Sequence, residues 1–276
     1  MVRPAGGPPV KPTGRRRVGI TAGTVNLGNP RMAWKHWSGL TVLLDLLCPP
    51  RCASCGTDLG VGADSGFAVC GSCAVALSSD VARCLGCGSP RSDDQGCGRC
   101  LTARRHWDGI AILTAYSDDA REAVLRAKRP GGEALAGALA TLLVRKHRDA
   151  MQAWGIDLVV PVPMHWLRRA TRGASSADEI ARGVAAALGV PWRRSLRRRR
   201  ATPMQNELPV DERWGNVRGA FRVRAAVKGR RILLVDDVTT TGATLADCRR
   251  ALVEAGASAV YAGVIARAAR DDAPAT

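Results

Sequence analysis

Over the second half of the chain, short apolar runs bounded by turn residues alternate with stretches of helical period, which predicts an α/β domain built on a parallel sheet. Gly109 to Tyr116 predicts a strand, and Asp118 to Ala127 a helix that brings Lys128 to its end. Residues 133 to 151 predict one strong helix with Leu135, Leu139, Leu142 and Leu143 on one face. Asp157 to Val160 is a buried strand that runs into Pro161, Val162 and Pro163. Prolines cannot continue a central ladder, so the chain turns there at a strand's carboxyl end, where open α/β sheets bind ligands. Ser176 and Glu179 have capping-box spacing, and Ile180, Val184 and Leu188 then repeat at helical period before Gly189. Ile232 to Val235 form the continuous apolar run of a fully buried strand, with Asp236 and Asp237 at its carboxyl end. A polar loop follows, and Leu245, Cys248 and Leu252 resume helical spacing up to Gly256. Ser258 to Ile265 supplies a last buried strand.

The stretch from Ile232 to Leu245 has the parts of a site for a phosphorylated sugar. A glycine-containing loop points backbone N–H groups at a phosphate, the helix start adds partial positive charge, and two acids accept from ribose hydroxyls. Between the proline turn and the helix after Ser176 lie Arg168, Arg169, Arg172 and Gly173, a basic edge suited to pyrophosphate or else a solvated rim. Residues 193 to 231 are strongly basic and show little apolar periodicity apart from Phe221 and Val223. They predict a long mobile arm over the site, since loops of this length in compact domains usually serve function.

Composition adds a metal and a charge. Of ten cysteines in the chain of 276 residues, nine fall between Cys48 and Cys100. Eight of them form four C-x-x-C pairs: Cys52 and Cys55, Cys70 and Cys73, Cys84 and Cys87, Cys97 and Cys100. Each pair puts two thiolates on one ion, and two pairs complete the tetrahedral shell that zinc favours, so two structural Zn2+ ions are expected. Gly56 and Gly88, just after the first and third pairs, fit the knuckle turn. The spacing accommodates sequential pairing and a cross-braced arrangement alike. Cys48 is left unliganded. No apolar run reaches the length of a membrane span and no signal peptide is evident, which predicts a cytoplasmic chain with no membrane insertion. The formal net charge of +17 makes a polyanionic partner an open reading. Residues 1–31, rich in Gly, Pro and Arg, predict a disordered basic tail. A short apolar helix is expected from Trp34 to Leu47.

Residues 235 to 244, Val-Asp-Asp-Val-Thr-Thr-Thr-Gly-Ala-Thr, resemble the phosphoribosyl pyrophosphate (PRPP) signature of type I phosphoribosyltransferases. Preceded by paired zinc knuckles, they are similar to the ComF family of competence proteins. Lys128, the Val160 to His165 turn, Arg172 with Gly173, and Thr202, Gln205, Leu208, Arg213, Asn216 and Phe221 extend the likeness over roughly residues 40 to 268. The resemblance implies a double zinc-ribbon module at 32–104, a phosphoribosyltransferase-like domain at 105–270 and a tail at 271–276. It assigns Asp236 and Asp237 to the ribose hydroxyls and the shell of Mg2+, bound with PRPP. Val238, Thr239, Thr240, Thr241, Gly242, Ala243 and Thr244 would hold the 5′-phosphate. Pro161, Val162 and Pro163 would form the pyrophosphate loop, with a strained, sometimes cis, peptide, and Arg168 and Arg172 would add charge beside it. The implied activity is phosphoribosyl transfer with pyrophosphate release. The alternative is a non-catalytic module that binds single-stranded DNA or senses PRPP, and DNA-uptake machinery proteins join the candidate partners. Family members commonly follow the Arg-Gly pair with Phe-Asn-Gln, where this chain has Ala174, Ser175 and Ser176.

Overall fold

The structure is a computed structural model that describes residues 49–59, 68–78, 81–90, 107–164, 175–199 and 219–268. The chain divides after Thr41 into two units, and all described residues belong to the second, Val42–Thr276. The expected tail at 1–31 and the helix from Trp34 to Leu47 lie outside the described residues. In chain order, α1 (Gly71–Ala76) is followed by β1 (Ile110–Ala115), α2 (Asp118–Ala127), α3 (Glu133–Lys146), α4 (Arg148–Trp154) and β2 (Leu158–Pro161). Next come α5 (Ser176–Leu188), the short strands β3 (Leu196–Arg198) and β4 (Phe221–Val223), then β5 (Arg231–Thr239), α6 (Ala243–Glu254) and β6 (Ala259–Arg267).

The main sheet has the order β1-β6-β5-β2, with every neighbouring pair parallel. Continuous apolar runs belong to such a sheet because both faces are covered. Leu233 and Val235 of β5 face a core with Leu139 and Leu143 of α3 and Ile180 and Val184 of α5. Ile232 and Leu234 face the opposite core with Leu245, Cys248 and Leu252 of α6. All four strand residues are fully buried, each contributing about 1.5–3 kcal/mol of transfer free energy. The helices α3 and α5 cross closely where Gly183 lies, since a Cβ there would come within 2.8 Å of the Ala140 Cβ. No helix among the described residues is long and apolar enough to cross a membrane.

Three elements differ from the pattern-based expectation. The helix expected over 133–151 is broken at His147 (φ −116°, ψ 26°), whose Nε2 lies 2.9 Å from the Ile112 carbonyl. Apolar periodicity continues through the break, so the periodicity alone hides it. The strand expected to stop at Val235 runs on to Thr239, because β6 pairs with it as far as Arg267. The basic stretch after 193 is not arm throughout. Its two ends pair as the antiparallel strands β3 and β4, with Leu196 and Phe221 buried in the core under α6. The intervening residues 200–218, including most of the expected arm, lie outside the described residues.

Candidate functional site

The acids stand where β5 outruns β2. The β2 register ends at Pro161 opposite Val235, and the Val162 N–H still donates to the Val235 carbonyl at 2.8 Å. Beyond that point β5 pairs on its β6 side through Asp236, Val238 and Thr239. The Asp237 N–H is taken up by Asp236 Oδ1 at 2.9 Å. Pro161, Val162 and Pro163 thus flank the acids on one side, with no cis peptide and no positive-φ residue other than glycine among the described residues. Arg168, Arg172 and His165 lie outside the described residues.

Asp237 is held by groups from two other elements. Lys128, the C-cap of α2, places Nζ 3.2 Å from Asp237 Oδ1 in a partly buried pair. Ser176, the first residue of α5, donates its hydroxyl to Asp237 Oδ2. The capping-box reading of Ser176 is therefore corrected: Ser175 is the N-cap, without a side-chain cap bond, and the Ser176 hydroxyl serves the acid instead. The Ser175 hydroxyl is buried, with no hydrogen-bond partner among the described residues. Desolvation, and next the charge on Asp237, push the Asp236 carboxyl well above its ordinary 3.8, although part of the residue meets solvent.

After Thr239, residues 240–242 turn into α6, and Gly242 takes the left-handed conformation (φ 75°) at its N-cap. Among the described residues, the backbone N–H groups of Thr240, Thr241, Gly242 and Thr244 have no protein acceptor, and Ala243 reaches Thr241 Oγ1 only at 3.4 Å. Unpaired donors at the start of a 12-residue helix form an anion site. Asp247 on α6 accepts from the backbone of Gly219 and Ala220, both at 3.0 Å, and so fixes the return from residues 200–218. Nothing in the sequence singled out Ser176 or Asp247 for these roles. A buried polar residue on a helix acquires its partner only from the fold.

The metal-binding part is equally local. The sulfurs of Cys52, Cys55, Cys70 and Cys73 all lie within 4.8 Å of one another, which decides for sequential pairing in the first cluster. The Cys55 and Cys70 N–H groups donate to Cys52 Sγ at 3.4 and 3.3 Å, as suits a thiolate. Gly56 (φ 77°) and Gly88 (φ 73°) turn both knuckles as expected. Hydrogen bonding, led by Ser72, draws the Cys70 thiol down to about 6, while burial pushes Cys73 up to about 12. Zinc binding would release the proton from Cys73. Cys84 and Cys87 form the second knuckle, and Cys97 and Cys100 lie outside the described residues. Cys248 is core, and burial keeps its thiol protonated.

The double zinc ribbon domain model matches residues 43–101, and the phosphoribosyl transferase domain model matches residues 132–275. The DNA utilization protein YhgH of Salmonella typhimurium is 31% identical over 227 residues, covering 80% of this chain and 99% of that one. Competence protein F of Haemophilus influenzae is 29% identical over 226 residues, covering 79% and 97%. A solved structure, the allosteric regulatory enzyme of purine biosynthesis, aligns at 26% identity with a TM-score of 0.34 over 47% of this chain and 25% of that one. Ribbon and transferase domains stand in the expected order, and these relatives align over nearly their whole length, so the chain belongs to the ComF family of competence proteins, phosphoribosyltransferase-fold chains with an N-terminal double zinc ribbon.

Proposed function

We propose that this chain binds Mg2+ and PRPP at the carboxyl end of β5 and transfers the phosphoribosyl group to an acceptor with release of pyrophosphate. The observation that carries this reading is the acid pair set directly before a loop of unpaired N–H groups at a helix start. In it, Asp236 and Asp237 take the ribose hydroxyls, and residues 239–244 take the 5′-phosphate. Residues 161–163, with Arg168 and Arg172, take the pyrophosphate. Bound Mg2+ would neutralise the pyrophosphate as it leaves. The acceptor attacks C1′ as the bond to pyrophosphate breaks, so the chain's task is positioning and charge stabilisation with no protein nucleophile. Lys128 and Ser176 orient Asp237 for that task. We place the ribbon module at 32–104, the transferase domain at 105–270 and the chain in the cytoplasm, with two Zn2+ as structural ions.

Isothermal titration with Mg-PRPP tests the reading. Saturable binding is expected, weakened at least about tenfold in Asp236→Asn and Asp237→Asn, a loss of ~1.4 kcal/mol or more. Binding that is absent, or unaffected by both substitutions, defeats it. Pyrophosphate release on adding nucleobases or amines then separates a transferase from a PRPP sensor.

A second reading, contact with single-stranded DNA, draws on the hairpin. Arg197 lies directly opposite Arg222 in the β3–β4 register. These two and Arg199 and Arg224 are exposed and without an acidic partner among the described residues. Like charges facing across a ribbon oppose folding, and a phosphate backbone would relieve them.

A further inference from the structure

Both zinc knuckles rest on residues adjoining the acid pair and the phosphate loop. In the first, Ala53 and Ser54 lie inside the turn closed by Cys52 and Cys55, and Arg126 of α2 forks onto their carbonyls. Its Nη1 donates to Ser54 and its Nη2 to Ala53, the latter at 3.1 Å. Two residues on, at the C-cap of the same helix, Lys128 holds Asp237.

In the second knuckle, the Leu85 and Gly86 carbonyls accept from the Ile110 and Trp107 N–H groups at 2.6 and 3.1 Å. The Cys87 carbonyl accepts from Arg267 Nη1 at 2.8 Å. The knuckle is pressed onto β1, since a Cβ on Gly88 would come within 2.4 Å of Ile112 Cδ1. Arg267 is also the register partner of Thr239, where the phosphate loop departs, and the next residue, Ala268, donates to the Thr239 carbonyl at 2.9 Å. The two knuckles therefore grip opposite sheet faces, the first within the core of α3 and α5, the second over Ile110 and Ile112 on the α6 side.

We infer that Arg126 and Arg267 are positioning residues through which the zinc knuckles set the geometry of the PRPP site. The inference rests on the PRPP reading above. Its physical basis is that carbonyls inside a C-x-x-C turn point in fixed directions only when both thiolates bind one ion. A module this small has no core of its own, and its packing on the transferase domain leaves the shape of each turn to the ion. Arg126 thus finds its two acceptors in the metallated knuckle. Without them the last turn of α2, the part of a helix most prone to fraying, carries Lys128 away from Asp237. Arg267 acts in the same way on Thr239 and the residues after it. A ribbon that served only as a separate binding module would need neither contact.

The test uses the zinc-replete full chain with Arg126→Ala, Arg267→Ala, Arg126→Lys and, as control, Arg121→Ala on the exposed face of α2. Zinc content, Mg-PRPP affinity by titration and amide hydrogen exchange without ligand are measured on each. Arg126→Ala and Arg267→Ala are expected to keep their zinc and to bind Mg-PRPP about tenfold more weakly, the scale of a charge-assisted contact. Exchange should rise at Lys128 in the first and, in the second, at Ala268, whose N–H is bonded to the Thr239 carbonyl. Arg126→Lys should recover part of the affinity, and Arg121→Ala should match the parent. Parent-like affinity in both alanine variants, or weakening only in proportion to lost zinc, overturns the inference. Should the parent bind no Mg-PRPP, the PRPP reading itself fails, and exchange alone decides the link. Unchanged protection at Lys128 and at Ala268 then overturns it, and raised exchange there upholds it.

Discussion

Asp236 sits in a place unfavourable to its own charge. Desolvation and the neighbouring Asp237 raise its carboxyl well above 3.8, so the folded chain binds that proton more tightly than the unfolded chain does. Below about pH 3.8 both states are protonated and the site costs nothing. As pH rises from there toward the folded value, the unfolded chain ionises while folded Asp236 keeps its proton, so the cost to folding grows and then levels off. Asp236→Asn keeps an acceptor for the Asp237 N–H and removes the charge. Calorimetry is expected to show it melting about 2–4 °C above the parent at pH 8, with the gain vanishing near pH 3. An equal gain at both values would contradict the electrostatic account. A residue kept against stability is what a ligand site of this kind requires. The acids and the loop from Thr239 to Thr244 were legible as residue types in sequence. Lys128 was noticed without a role, and Ser176 was given the wrong one, because the partner of each is Asp237, far along the chain.

At the scale of elements, α5 carries Ser176 of the site, and its close crossing with α3 depends on Gly183. Replacing glycine by alanine inside a helix gains up to about 1 kcal/mol of propensity, but overpacking costs about 1–3 kcal/mol. At Gly183 the new Cβ would meet the Ala140 Cβ at 2.8 Å, so the clash prevails. At Gly137 on the facing helix nothing lies within 4 Å, so propensity prevails. Urea denaturation should therefore find Gly183→Ala less stable than the parent and Gly137→Ala more stable. The same sign for both would refute the packing geometry. Helical periodicity shows which face of α3 is apolar, but not how near its neighbour comes. That distance is set by backbone approach, which leaves no mark on hydropathy beyond a glycine.

For the molecule as a whole, the net charge of +17 is partly concentrated on the β3–β4 hairpin. If Arg197 and Arg222 each meet a phosphate of single-stranded DNA, replacing both by Gln should make the slope of log affinity against log salt shallower by about 1.4. Fluorescence anisotropy with a labelled oligonucleotide measures it, and no binding at low salt would remove the nucleic-acid reading. The sequence by itself determined the parallel α/β plan, the cysteine-pair spacing, the acid pair and the glycine-containing loop after it. Each of these is written in neighbouring residues, through period, turn chemistry or ligand spacing. Only the tertiary structure decided that β5 continues past its acids, that the basic segment folds back as a hairpin, and that Arg126 and Arg267 tie the knuckles to the ends of α2 and β6. Those features depend on hydrogen-bond partners more than twenty residues away, which no local pattern records.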